Sequence, residues 1–294
     1  MEKLTNLSNI KNIMRSHNFN FVKSLGQNFL INPSVCPRIA AAGLNSKADS
    51  KPQPQIAGVI EIGAGIGVLT RELAKNADKV AAIELDRRLI PVLRETLADF
   101  DNVKLIEGDI LKLDIKGIID SEFNGGPAAV CANLPYYITT PVIAMFLEQR
   151  LNITSMTVMT QKEAALRITA APGTRESGAI SYMIRYYSIP KLLFNVAAGS
   201  FYPAPKVESA VIKLDIKKNL PLQDTEEKFL FRCIRAGFSQ RRKTLSNALS
   251  AGLNIPKNQI IAAIQECKIP TTSRAEQLTL DDFILLSERI LSFV

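Results

Sequence analysis

The sequence predicts an α/β domain built on a mostly parallel sheet, followed by a small all-helical C-terminal domain. Three observations carry this. Strand-like apolar runs alternate with helix-like segments from residue 59 to 161, a glycine turn joins the first strand to the first helix, and helical periodicity takes over from about residue 225. At 294 residues the chain exceeds one average domain.

The elements follow in order. The N-terminal stretch MEKLTNLSNIKNIMRSHNFNF is too polar for a secretory leader, and no apolar run approaches the ~20 residues that span a bilayer. A cytoplasmic location is therefore expected, with no membrane partner. NSKADSKPQPQ (45–55) reads as a loop that closes a basic arm at 1–55. VIEIG (59–63) precedes helical VLTRELAKNA, and KVAAIELD (79–86) precedes helical RLIPVLRETLADF. VKLIEGD (103–109) and AAVCANL (128–134) are the next strands, then a helix PVIAMFLEQ and the strand TSMTVMTQ (154–161). Helical crossovers between strands imply a sheet covered on both faces. KLLFNVA (191–197) and ESAVIKLDI (208–216) lie close enough to form an antiparallel pair at one edge. KKNLPLQD (217–224) reads as a linker, so the α/β domain spans 56–216 and the helical domain 217–294. The latter's helices are expected near 225–239, 242–251, 257–266 and 279–292.

The net charge of +8 is unevenly spread: residues 1–56 carry +5, residues 57–216 carry −1 and residues 217–294 carry +4. A near-neutral body flanked by two basic segments suits a polyanionic partner, although charge alone fits a solvated basic surface equally well. The four cysteines are far apart and form no CxxC pair, which argues against a zinc site or a disulfide framework and for reduced, mostly buried thiols. No metal is expected.

EIGAGIGVLT (61–70) follows a strand and opens a helix, where alternating Gly63, Gly65 and Gly67 let a cofactor approach the backbone. It is neither GxGxxG nor a P-loop. Glu84 ends the second strand, where a doubly wound fold places the acid for ribose hydroxyls. Asp109 ends the third, suitably placed for the exocyclic amine of an adenine. Together they describe a pocket for an adenosine without phosphates, which favours S-adenosylmethionine over NAD. A strand-to-helix turn also requires glycine for backbone reasons alone.

CANLPYYITTP (131–141) falls at the end of the fourth strand, on the same sheet edge. Pro135 forces Leu134 into an extended conformation, so the Leu134 carbonyl and the Asn133 side-chain oxygen can present two fixed acceptors. Such a pair would grip the hydrogens of an aromatic amine and turn its delocalised lone pair toward an electrophile, by positioning and electrostatics. No strong base is needed beforehand, and the lone histidine, His17, lies in the arm. Tyr136 offers a flat face for a flipped base and Phe201 offers a second. Taken alone, NLPYY reads equally well as a tight connection with core tyrosines.

KSLGQNFL (23–30), EIGAGIGVLT, NLPYY, SFYPAPKVESAV (200–211) and FSQRRKTLSNAL (238–249) together resemble the small-subunit ribosomal RNA adenine N6,N6-dimethyltransferase family. The similarity runs in order over nearly the whole chain. It implies a Rossmann-like class I methyltransferase domain and a small helical domain. It also implies transfer of four methyl groups from S-adenosylmethionine to two adjacent adenosines in the hairpin loop near the 3′ end of small-subunit rRNA. The expected partner is that rRNA within a 30S assembly intermediate, met by a monomer. The resemblance assigns cofactor contacts to Asn28, Leu30, Gly63, Glu84, Asp109 and Asn133, and target positioning to Asn133, Leu134, Tyr136 and Phe201. Arg241, Arg242 and Lys243, at the expected start of a helix, are candidates for RNA phosphate contact. The segments 45–55 and SYMIRYYSIPK (181–191) depart from the family pattern and receive no role.

Three rival readings remain in view. A sister enzyme that methylates one adenine of large-subunit rRNA shares the glycine loop and an NLPY-like tetrapeptide, but SLGQNFL and FSQRRKTL favour the small-subunit enzyme. A non-catalytic assembly factor would be free to lose Glu84, Asp109 or Asn133, all of which stand here. A nicotinamide dehydrogenase lacks both its GxGxxG and an acid/base histidine.

Overall fold

The computed structural model describes residues 4–19, 26–44 and 56–293; the expected loop at 45–55 and the first three residues of KSLGQNFL lie outside them. The chain divides into two units, Met1–Ala165 with Lys191–Ile216, and Leu166–Pro190 with Lys217–Val294. It runs through α1 (Leu7–Ser16), β1 (Phe29–Leu30), α2 (Val35–Gly43), β2 (Gly58–Ile62), α3 (Val68–Ala74), β3 (Val80–Glu84), α4 (Ile90–Thr96), β4 (Val103–Glu107), α5 (Ile115–Phe123), β5 (Ala128–Asn133), α6 (Thr139–Glu148) and β6 (Ile153–Gln161). After α7 (Lys162–Thr169) and α8 (Ala179–Tyr187) come β7 (Ser188–Val196), β8 (Phe201–Tyr202) and β9 (Ser209–Ile216). Helices α9 (Asp224–Ser239), α10 (Leu245–Leu253), α11 (Lys257–Glu266) and α12 (Leu280–Leu291) complete it.

Seven strands form one sheet in the order β4-β3-β2-β5-β6-β9-β7. Every residue of β2 and β3 is buried, as expected of parallel strands covered on both faces. Pairings β2/β3, β2/β5, β3/β4 and β5/β6 are parallel, and β9 alone runs antiparallel to β6. The two strands expected at one edge are neighbours there, with β7 outermost beside β9. The chain lays down β2, β3 and β4 in one direction and then returns to add β5 and β6 on the other side of β2. That reversal leaves a crevice at the carboxyl ends of β2 and β5, the usual ligand position in such sheets.

A second, two-stranded sheet was not foreseen. β1 pairs antiparallel with β8, with Phe29 opposite Tyr202 and Leu30 opposite Phe201. It stitches the arm to the FYPAPKV loop, and two-residue strands carry no periodicity to read.

In the other unit, Tyr182 packs against Phe238 and Phe283 with ring centroids 5.2 and 5.1 Å away. Its hydroxyl donates to the Leu278 carbonyl and accepts from the Gly173 N–H. α12 opens on a capping box, in which Thr279 accepts from the Asp282 N–H and Asp282 accepts from the Thr279 N–H. The second C-terminal helix begins later than expected, at Leu245, behind an extended Thr244. Arg241, Arg242 and Lys243 thus occupy the turn between α9 and α10 and not a helix start. Among the described residues, no helix is long and apolar enough to cross a membrane.

Candidate active site

The glycine turn between β2 and α3 is left-handed at each alternate position, with φ of 75° at Gly63, 62° at Gly65 and 88° at Gly67. Only glycine enters this region without penalty, and a Cβ on Gly67 would also sit 3.1 Å from the Thr96 hydroxyl. The turn is pinned by an acid. The Gly65 N–H donates to Glu84 Oε2 at 2.7 Å, while Glu84 Oε1 accepts from the Asp86 N–H at 2.9 Å. Glu84 therefore holds the loop as well as facing the crevice. Burial raises its carboxyl above the ordinary range, and the N–H donors of Asp86 and Gly65 offset part of that.

One cavity of about 270 Å³ collects the predicted residues. Asn28, Leu30, Gly63, Glu84 and Asp109 line it, and so do Asn133, Leu134, Tyr136 and Phe201. Asp109 lies two residues past β4 and accepts from the Leu111 N–H at 3.1 Å. Asn28 donates its side-chain amide to the Gly26 carbonyl at 3.0 Å, which fixes its orientation. Asn133 is the last residue of β5, and the Leu134 N–H donates to the Met159 carbonyl at 3.2 Å. Beyond Pro135, residues 136–138 form a single 3-10 turn. Among the described residues, neither the Asn133 side chain nor the Leu134 carbonyl takes part in a hydrogen bond, so both acceptors are uncommitted. The Tyr136 hydroxyl, by contrast, is held 2.8 Å from the Ser209 hydroxyl of β9, which fixes its ring at the cavity wall. Phe201 is only 3% exposed and packs with Leu30 in the core beneath the crevice, so it serves the core as well as the cavity.

His17 is outside the cavity and pairs with Glu95 at 2.9 Å. Arg241, Arg242 and Lys243 are exposed in the helical unit. Arg241 is partly committed there: its guanidinium donates to the carbonyls of Arg175 and Ser177 at 2.9 and 3.2 Å.

Two features escaped the sequence. Gln27 donates to Asp86 Oδ2 at 2.7 Å and so ties the arm to the end of β3. Glu61, which stands close before the glycine turn, is fully buried, lines the cavity and leaves Oε2 without a hydrogen-bond partner among the described residues. Burial pushes its carboxyl from an ordinary 4.5 up to about 8, with Thr70 partly offsetting and nearby Glu84 adding to the rise. A carboxyl raised by folding stabilises the fold most at low pH, and that contribution is lost as pH climbs through the folded value. The ligand-free protein should thus lose stability between pH 4.5 and about 8. Glu61→Gln should flatten this slope in calorimetric melting; an unchanged slope would clear Glu61.

The cavity's charge is one-sided. Among the described residues Glu61, Glu84 and Asp109 line it and no Lys, Arg or His does, although Lys112 reaches Asp109 Oδ2 at 3.6 Å from outside the lining. Such a site favours a cation and repels a pyrophosphate.

A family model described as "Ribosomal RNA adenine dimethylase" matches residues 18–291. The "Ribosomal RNA small subunit methyltransferase A" of Alkaliphilus metalliredigens is 42% identical, over 99% of this chain and 99% of that one. Its namesake in Shouchella clausii is 44% identical over 95% and 93%. Among solved structures, a dimethyladenosine transferase from Plasmodium falciparum aligns with TM-score 0.68 and 25% identity, over 88% of this chain and 95% of that one. The 23S rRNA methyltransferase ErmE aligns with TM-score 0.67 and 24% identity over 90% and 99%.

Proposed function

The chain belongs to the ribosomal RNA adenine dimethylase family, and we propose that it dimethylates the N6 amines of two adjacent adenosines in the 3′-terminal hairpin loop of 16S rRNA. It is an rRNA adenine methyltransferase; the finer reading is that it draws on S-adenosylmethionine and acts on a 30S assembly intermediate as a monomer. The observation that carries the reaction is the cavity in which three carboxyls, with no basic residue in the described lining, meet the uncommitted Asn133 and Leu134 acceptors. The small-subunit assignment is supported by relatives of that name at 42–44% identity over nearly full length, whereas the likeness to ErmE speaks for the fold alone.

Support for S-adenosylmethionine comes from the cavity's chemistry: Glu61, Glu84 and Asp109 line it, no Lys, Arg or His does among the described residues, and the glycine turn is not a P-loop, which suits a cationic nucleoside without phosphates. When bound, that cofactor supplies an electrophilic methyl carbon on a sulfonium sulfur. Glu84 and Asp109 would accept from the ribose hydroxyls and the adenine amine respectively, with Asn28 and Leu30 closing the arm side. Asn133 Oδ1 and the Leu134 carbonyl would each accept one hydrogen of the target amine, which turns its lone pair out of conjugation. Tyr136, with its hydroxyl held by Ser209, would stack on the flipped base; Phe201 would back it. As the new bond forms, the amine becomes acidic and its proton leaves toward these acceptors or solvent, so no preformed base is required. An unpaired loop base is the natural target, because little stacking must be broken to extract it.

The test is tritiated methyl transfer to undermethylated 30S and 50S particles, with the product nucleotide identified by mass spectrometry. N6,N6-dimethyladenosine in 16S rRNA is expected; labelled 50S alone would overturn the substrate assignment. Arg242 and Lys243, exposed in the α9–α10 turn, would contact phosphate with Arg241, which also braces residues 175–177. Replacing Arg242 and Lys243 by Ala should flatten the dependence of log K on log[salt] by about two units, and an unaltered slope would remove the turn from the interface.

A further inference from the structure

Past its acidic first turn, α9 begins a stretch of unusual charge. From Lys228 to Gln265 the chain carries seven basic residues and no acidic one, although acids number 28 in the whole sequence. Three of those cations, Lys228, Arg232 and Arg235, recur at spacings of four and three and so lie on one face of α9, along about 10 Å of its axis. All three are exposed, while Phe229, Leu230, Cys233, Ile234 and Ala236 on the opposite face are buried. Arg232 lies 5.6 Å from the Phe229 ring centroid, and none of the three cations forms an ion pair within the described residues.

A merely solvated helix face mixes signs, because opposite charges three or four residues apart support the helix and like charges there oppose it. Lys228 has Asp224 four residues before it, but from Lys228 onward the face holds only like-charge neighbours, with Arg232 four residues and Arg235 seven residues further on. The helix C-terminus tolerates Arg235 through its dipole, but Lys228 lies near the other end and gains nothing from it. The repulsion persists in the free protein and would be relieved by a polyanion laid along the face.

We infer that Lys228, Arg232 and Arg235 form a phosphate-tracking surface for the backbone of a structured rRNA segment outside the target hairpin loop. This rests on the rRNA reading above. Three point charges in a row, without an aromatic platform, read backbone and not base identity. The surface therefore anchors the enzyme on folded RNA, independent of sequence at the contact.

The experiment measures binding of the full chain to a protein-free 16S transcript between about 50 and 200 mM salt. The triple variant Lys228→Gln, Arg232→Gln, Arg235→Gln should flatten the slope of log K on log[salt] by about two to three units. The charge-keeping variant Lys228→Arg, Arg232→Lys, Arg235→Lys should keep it. Both variants should retain wild-type circular dichroism and cofactor affinity, which separates a lost contact from a lost fold. A wild-type slope in a folded Gln variant would overturn the proposal. So would loss of binding to 30S particles with an unchanged slope on naked transcript, which would assign the face to a ribosomal protein. Failure of the wild-type chain to methylate adenine would count against the proposed reaction and leave this binding comparison standing.

Discussion

Asn133→Ala is expected to lower kcat for methyl transfer by about 10²–10³-fold, the usual cost of removing one preorganised polar group from a reacting centre, while cofactor affinity stays within a few-fold of wild type. The side chain ends β5 and makes no hydrogen bond to the rest of the described protein, so its truncation leaves the strand and the Leu134–Met159 bond intact. The loss falls on the target amine, which would keep only the Leu134 carbonyl and remain conjugated to its ring. Because that grip matters most as the nitrogen pyramidalises, kcat and kcat/KM should fall together. Asn133→Asp keeps an acceptor oxygen and should retain part of the rate. Unaltered turnover in Asn133→Ala would remove the two-acceptor mechanism.

Glu84→Ala should weaken S-adenosylmethionine binding by about 10²-fold or more, read by calorimetry. Two effects add. The variant strips a carboxylate from a cavity whose charge selects a cation, and it leaves the Gly65 and Asp86 N–H groups without acceptors. Each charged hydrogen bond contributes about 1.5–3 kcal/mol, and about 1.4 kcal/mol is tenfold in affinity. Glu84→Gln keeps an oxygen for one N–H and should fall between wild type and Ala. Binding to wild type should also tighten as pH rises toward 8, since a cation draws the proton from Glu61, whose carboxyl is raised to about 8. An affinity unchanged in Glu84→Ala would mean that the cofactor lies elsewhere.

The parallel sheet was legible because buried strands such as VIEI and VAAI are unbroken apolar runs, and each predicted strand from 59 to 161 has its counterpart. The crevice was legible because the glycine turn, Glu84, Asp109 and Asn133 all fall at the carboxyl ends of neighbouring strands, where such sheets bind ligands. What the acids do there was less so. Glu84 was read as a ribose ligand, and its bond to the Gly65 N–H requires a loop geometry that spacing does not encode. The β1–β8 pair joins residues far apart in the chain through two-residue strands. Residues 166–190 cluster with the helical unit, a crossing that no change of composition announces. Arg241, Arg242 and Lys243 are good helix formers, yet Thr244 precedes the helix and they fall in the turn.

A crystal structure of the protein with sinefungin, which carries an amine where the cofactor carries its reactive methyl, tests the central claim most directly. The account predicts the ligand's adenosine between Glu84 and Asp109, with that amine facing the Asn133 side-chain oxygen and the Leu134 carbonyl. A ligand seated away from this corner, or one whose amine points from it toward solvent, would contradict the claim that these oxygens aim the target nitrogen at the methyl carbon.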